Sequence, residues 1–250
     1  MGRIESIMRS SMATTSIIMD STSHVPWGDV AQWFAIVVTL FLAVFGEKIR
    51  KSIFKSKVDL EFKLIKPNCH KTVLNSQDGS VVPCYYLRIK VKSLNKIKAQ
   101  NLELMLTRKS QKVGDEFTED RDFLPLSLKW SHYGSVVLSH IPEELFRFCD
   151  FSRVCDRNYA NSMIKYLDAS FSKKLNESDL NVLLDLETEV KPNTGSSFIF
   201  PGTYRFELVL TGENIKKVKK VFQLKLANSW EEQEEKMFNN VLEIEEVDKI

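Results

Sequence analysis

The chain carries no glycine-rich phosphate loop, no Gly-x-Ser-x-Gly elbow and no His-Glu-x-x-His pair. The nucleotide cradle, the strained serine turn and the zinc-protease helix built on those spacings are therefore missing from it. Its four histidines, His24, His70, His132 and His140, are scattered. Zinc patterns are missing too: Cys69-His70 and Cys84 fit no standard spacing, and five residues rather than two stand between Cys149 and Cys155. With a net charge of +2, no global field argues for a nucleic-acid partner. Trp130-Ser131-His132 puts a hydroxyl beside an imidazole. On a strand, adjacent residues point to opposite faces, so the expectation is a core tryptophan and no catalytic dyad. No cofactor, no metal and no catalytic residue is expected from these absences.

One further absence organises the rest. No charged residue stands from Val30 to Gly46, and ten of the sixteen residues Val30 to Phe45 are Leu, Ile, Val or Phe. At roughly −0.3 to −0.6 kcal/mol each near a helix centre, those ten favour membrane insertion by about 3 to 6 kcal/mol. The expected anchor comprises Trp27, Trp33, Phe34, Ile36, Val37, Val38, Leu40, Phe41, Leu42, Val44 and Phe45, the tryptophans suiting a membrane–water interface. A cleaved leader would carry its basic residues before the apolar run, and here they follow it.

Thr15 to Asp29 contains no Lys or Arg, whereas Gly46 to Leu60 contains five: Lys48, Arg50, Lys51, Lys55 and Lys57. Basic flanks stay cytoplasmic. The expectation is a single-pass protein of the inner (cytoplasmic) membrane, N-terminus outside and C-terminal part in the cytoplasm, with lipid as a partner. The five basic residues fix topology or also lie on anionic headgroups. On that side of the membrane the four thiols stay reduced.

Met1 to Gly28 is rich in Ser, Thr and Met and is expected to be a disordered tail. Residues 29–57 form the span and its basic flank, 58–228 a β domain, and 229–250 an acidic C-terminal helix or tail. Beyond residue 57 the hydrophobic period becomes two. Val58-x-Leu60-x-Phe62-x-Leu64, with Pro67 as its stop, is one strand. Tyr85-x-Leu87-x-Ile89-x-Val91 is the clearest. Leu102-x-Leu104-x-Leu106, Leu124 to Trp130, Ser135 to Ile141, Val182 to Leu186, Tyr204 to Leu210 and Phe222 to Leu226 follow. Asn75 to Gly79 and Pro192 to Gly195 carry turn chemistry. Pro142-Glu143-Glu144-Leu145 predicts a helix entry, placing a helical insertion near residues 142–170, with a loop or a short helix around Met163 to Leu167. Ser229 and Glu232 form a capping box ahead of a C-terminal helix. Tyr86, Arg88, Lys90 and Lys92 line one strand face, either as a phosphate-reading surface or as a plain solvated face. Lys216, Lys217, Lys219 and Lys220 surround a hairpin, either guarding a sheet edge or touching the membrane. About eight alternating strands with short turns predict a mainly β protein, an antiparallel immunoglobulin-like β-sandwich behind a transmembrane helix.

Tyr86 to Val91 followed by Ala99 and Leu102, with Leu126-x-Leu128-x-Trp130-Ser131 and Pro201-Gly202-Thr203-Tyr204, resembles uncharacterised bacterial single-span membrane proteins with an immunoglobulin-like β-sandwich domain. The likeness covers residues 30–245. Ser93 and Asn95 stand where that pattern has Asn-x-Gly. It implies architecture and no activity. The function expected is a membrane-anchored, cytoplasm-facing binding or adaptor module with a protein partner. Alternatives are a sensor or effector of a bacterial stress or phage-defence system, and a divergent enzyme.

Overall fold

The computed structural model describes residues 27–53, 55–75, 79, 81–163, 169–177, 179–189 and 197–250. Residues 1–26 of the tail expected from Met1 to Gly28 and the Pro192 to Gly195 turn lie outside them, as does most of the Asn75 to Gly79 turn, whereas Trp27 and Gly28 are helical. The chain divides into two compact units, Met1–Glu47 and Lys48–Ile250. One helix, α1 (Trp27–Ile53), contains the apolar run.

The second unit is built from two antiparallel sheets. The first has the order β1 (Val58–Glu61), β3 (Val81–Ser93), β8 (Phe146–Asp156), β9 (Val182–Leu186), β10 (Phe198–Ile199), with β2 (Cys69–Asn75) also paired to β3. The second has the order β13 (Leu242–Val247), β12 (Val218–Leu226), β11 (Gly202–Thr211), β4 (Ala99–Val113), β5 (Glu116–Glu119). β6 (Leu126–Ser127) and β7 (Val137–Ile141) also pair with β4. The two sheets share one core. Tyr85, Leu87, Ile89 and Val91 of β3 enter it, as do Leu102, Leu104 and Leu106 of β4 and Tyr204, Phe206, Leu208 and Leu210 of β11. Phe151 of β8 meets Phe206 at 5.4 Å between centroids and Phe62 at 4.9 Å, and Phe62 meets Phe222 at 5.6 Å. These edge-on contacts join the two sheets. Trp130 is fully buried, as expected, and donates its indole N–H to the Val136 carbonyl at 3.1 Å.

Three expectations are corrected. The helix expected from Pro142 is a tight turn, in which Leu145 N–H reaches the Pro142 carbonyl at 3.3 Å and Glu144 adopts φ +56°. Strand β8 follows at once. Its alternation is hidden by a bulge, the register with β3 shifting between Leu87 and Arg88 so that Phe151 is an extra residue. Helix begins further along, with α2 (Arg157–Met163) inside the expected insertion near 142–170 and α3 (Ala169–Glu177) beyond it, and residues 164–167 of the segment around Met163 to Leu167 lie outside the described residues.

The C-terminal helix shrinks to one turn, α4 (Glu234–Lys236), and a π turn (Met237–Val241). Gln233, not Ser229, holds the cap position, without a side-chain cap. Lys71 of β2 takes the acid of the expected capping box, its ammonium reaching Glu232 at 2.5 Å, and its backbone N–H reaches Glu234 at 2.8 Å. The chain then becomes β13, and its acids face the partner strand. Lys225 pairs with Glu243 at 2.8 Å and Lys220 with Glu246 at 2.9 Å. β13 covers β12 from Val221 to Leu226, and the hairpin lysines Lys216, Lys217, Lys219 and Lys220 lie before that pairing. Finally, β2 lies beyond the expected stop at Pro67, where Cys-His-Lys-Thr-Val-Leu-Asn has no clean alternation.

Candidate functional site

Val30–Glu47 is 18 residues long and apolar enough to cross a membrane, with none of it buried inside the protein. At ~1.5 Å per residue it covers about 27 Å. Trp33, Phe34, Ile36, Val37, Val38, Leu40, Phe41, Leu42, Val44 and Phe45 all present exposed surface, which a core helix would bury. Thr39, its one hydroxyl, is satisfied internally by the Ala35 carbonyl at 2.7 Å. The side chains of Trp27, Lys48, Arg50 and Lys51 lie outside the described residues. Lys55 and Lys57 are exposed on either side of buried Ser56. Ser56 N–H donates to the Asn214 carbonyl at 2.8 Å, and Asn95 bonds Lys55 and Lys57 on either side, donating to the carbonyl of the former at 3.1 Å and accepting the N–H of the latter at 3.0 Å. Asn214 in turn donates to the Lys98 carbonyl at 2.8 Å. These bonds gather exposed Lys96, Lys98, Lys216 and Lys217 at the same end of the β unit, with Glu213 among them held by Asn101.

A second constellation is assembled only by the fold. The outer face of the first sheet carries an open cleft of about 270 Å³, lined by His70, Thr72, Tyr86, Arg88, Ser131, His132 and Asp150 among others. β2 contributes His70, β3 contributes Tyr86 and Arg88, and β8 contributes Asp150. The turn after Trp130 closes it, with Tyr133 N–H bonded to the Trp130 carbonyl at 3.1 Å and Ser131 N–H to the Phe148 carbonyl at 2.9 Å. His132 takes φ +67° in that turn. The strand geometry that would send Ser131 and His132 to opposite faces therefore does not apply, and both line the cleft.

Asp150 is the hub. Ser131 donates its hydroxyl to Oδ1, and the Tyr86 phenol lines the same cleft. Burial pushes the Asp150 carboxyl above its ordinary range, opposed by the Ser131 hydroxyl, the Tyr86 phenol and the Arg88 charge. Burial likewise lowers His70, helped by Arg88, and raises the Tyr86 phenol. Such convergence of polar groups on a perturbed carboxyl is what binding and catalytic sites share.

Neighbouring side chains explain why the basic row is not a plain solvated face. Arg88 is buried, donating to the Pro67 and Asn68 carbonyls and lying 4.5 Å from the Phe148 ring centroid. Lys90 lies 4.1 Å from the Phe146 centroid, and Lys92 pairs with Glu61. Phe146 and Phe148 also line an adjoining hollow of about 300 Å³ that shares Ser131 and His132 with the cleft. Further along the same face Arg153 pairs with Glu187 and with Asp185, the latter at 3.4 Å, and Tyr159 donates to Asp185 at 2.8 Å.

Cys69 enters the core while His70, the next residue, lines the cleft, so the two cannot share a metal. Among the described residues no group of His, Cys, Asp and Glu could hold one. No protein-family model, curated protein or solved structure matches the chain. The site therefore stands on its own geometry.

Proposed function

We propose that this chain is a membrane-anchored binding module of immunoglobulin-like type, held at the inner membrane by α1 with its β unit in the cytoplasm. In this reading it belongs with the bacterial single-span proteins that its sequence resembles. The cleft around Asp150 receives a polar side chain of a protein partner. The carrying observation is the convergence of Ser131, Tyr86, Arg88 and Asp150, from three separate parts of the chain, beneath a rim of two imidazoles and two phenylalanines. A carboxyl with hydroxyl neighbours suits an amide or cationic side chain, and Phe146 and Phe148 suit its apolar stem. The test is affinity purification of the full chain from membranes, beside Asp150→Asn and His132→Ala variants of equal abundance. A stoichiometric protein held by the parent chain and lost from both variants supports the reading. The same proteins recovered with all three chains overturn it.

The Ser131–Asp150 hydrogen bond favours a second reading, an enzyme in which Asp150 activates the Ser131 hydroxyl. An electrophilic serine probe would then label the parent chain at Ser131 and leave Ser131→Ala unlabelled. Equal labelling of both would remove it.

A further inference from the structure

Cys84 and Cys155 face one another directly across the β3–β8 ladder, each the register partner of the other. Both are free and fully buried. Both belong to a small second core with Val82, Tyr159, Leu175, Leu183 and Phe198, separate from the one between the sheets. Residues directly opposite in an antiparallel pair have Cα atoms roughly 4.5 to 5.5 Å apart. A disulfide requires about 4.4 to 6.8 Å. The other two cysteines lack this arrangement: Cys69 is opposite Leu87 and Cys149 is opposite Ile89, both on the inner face.

We propose that Cys84 and Cys155 form a reversible redox pair, oxidised to an intramolecular disulfide by a hydroperoxide. The Cys84 thiol is the attacking group. The neighbouring Cys155 thiol pulls its pKa down, with the Arg153 charge assisting; burial pushes Cys155 up. The thiolate, not the thiol, is the nucleophile. In the first step the Cys84 thiolate attacks one peroxide oxygen, the O–O bond breaks, and the leaving oxygen departs as water after taking a proton. This gives a sulfenic acid on Cys84. In the second step the Cys155 sulfur attacks the Cys84 sulfur and the S–O bond breaks. The hydroxyl leaves with the Cys155 proton as a second water. Two thiols and one hydrogen peroxide thus give one disulfide and two waters. Hydrogen peroxide is small enough to reach thiols that a larger disulfide reagent cannot. In a reducing compartment such a bond is transient and sensory rather than structural, and thioredoxin-type dithiols reverse it.

The test uses the full chain purified in detergent, treated with hydrogen peroxide, unfolded in the presence of N-ethylmaleimide and mapped by peptide mass spectrometry. The expected result is a Cys84–Cys155 linked peptide, restored to two alkylatable thiols by dithiothreitol, with Cys69 and Cys149 alkylated throughout. Links through Cys69 or Cys149, or continued alkylation of Cys84 and Cys155 after peroxide, overturn the proposal. Single variants assign the roles. Cys155→Ser should accumulate a dimedone adduct on Cys84, and Cys84→Ser should leave Cys155 unmodified. The reverse pattern overturns the assignment of Cys84 as nucleophile. Because the linked peptide is read on the parent chain, that result does not depend on how well either variant folds.

Discussion

Gly212 shows how tightly the second sheet closes on itself. A Cβ there would meet Leu102 Cδ2 at 2.8 Å and the Gln100 carbonyl oxygen at 2.9 Å. The leucine can turn away, but the carbonyl belongs to the backbone of β4. Gly212→Ala is expected to cost about 1 to 3 kcal/mol, measured by denaturant unfolding, and an unchanged midpoint would refute the contact. Asp150 gives a pH signature instead. Its folded-state pKa lies above the ordinary 3.8, so its stabilising contribution is complete at low pH and is lost as pH rises above about 3.8 through the folded value. Asn at this position cannot ionise. The stability of the parent chain minus that of Asp150→Asn should therefore fall with rising pH across this window. A difference that rises with pH would show that the two hydroxyls and Arg88 outweigh burial.

At the scale of elements, β3, β11 and β12 are legible because each keeps a two-residue period with one face in the core, and β4 keeps it from Leu102 to Leu106, between irregularities at Asn101 and Thr107. β13 is not, because Leu-Glu-Ile-Glu-Glu-Val presents acids whose partners, Lys220 and Lys225, come from elsewhere in the chain. The two assignments separate by mutation. Leu242 is fully buried, so Leu242→Ala should cost about 2 to 5 kcal/mol. Glu243→Ala breaks an exposed pair and should cost under about 1 kcal/mol. Equal, small effects in the two variants would return this segment to a solvated tail. The cleft was hidden for a related reason. Tyr86, Ser131 and Asp150 occur on separate segments, and only strand order brings them together. Trp130-Ser131-His132 is visible in the sequence, but strand geometry does not apply to it because the fold has a turn there.

For the whole molecule, the decisive property is the apolar exposure of α1 set beside a β unit whose apolar residues lie between its sheets. Arginine at Leu40, near the middle of the run, should add ~2.5 to 3.5 kcal/mol to the insertion free energy. Leu40→Arg is expected to shift the chain from the carbonate-resistant membrane fraction towards the extractable one. If the parent chain is itself fully extracted by carbonate, the helix is not an anchor, and the placement of the β unit against the membrane falls with it. The redox pair and the cleft do not depend on that outcome, since both lie wholly within residues 70–155.

The additional residue in β8 decides the parity of everything after it. Cys149 and Phe151 share odd numbers and the inner face, yet past the irregularity it is even-numbered Val154 that points inward while Arg153 and Cys155 turn out. Removing Ser152 would take only the extra residue away: Phe151 would then pair with Leu87, while Arg153, Val154 and Cys155 keep their partners Tyr86, Tyr85 and Cys84 and their faces. Removing Val154, beyond the irregularity, would instead bring Cys155 opposite Tyr85 on the inner face and part the two sulfurs.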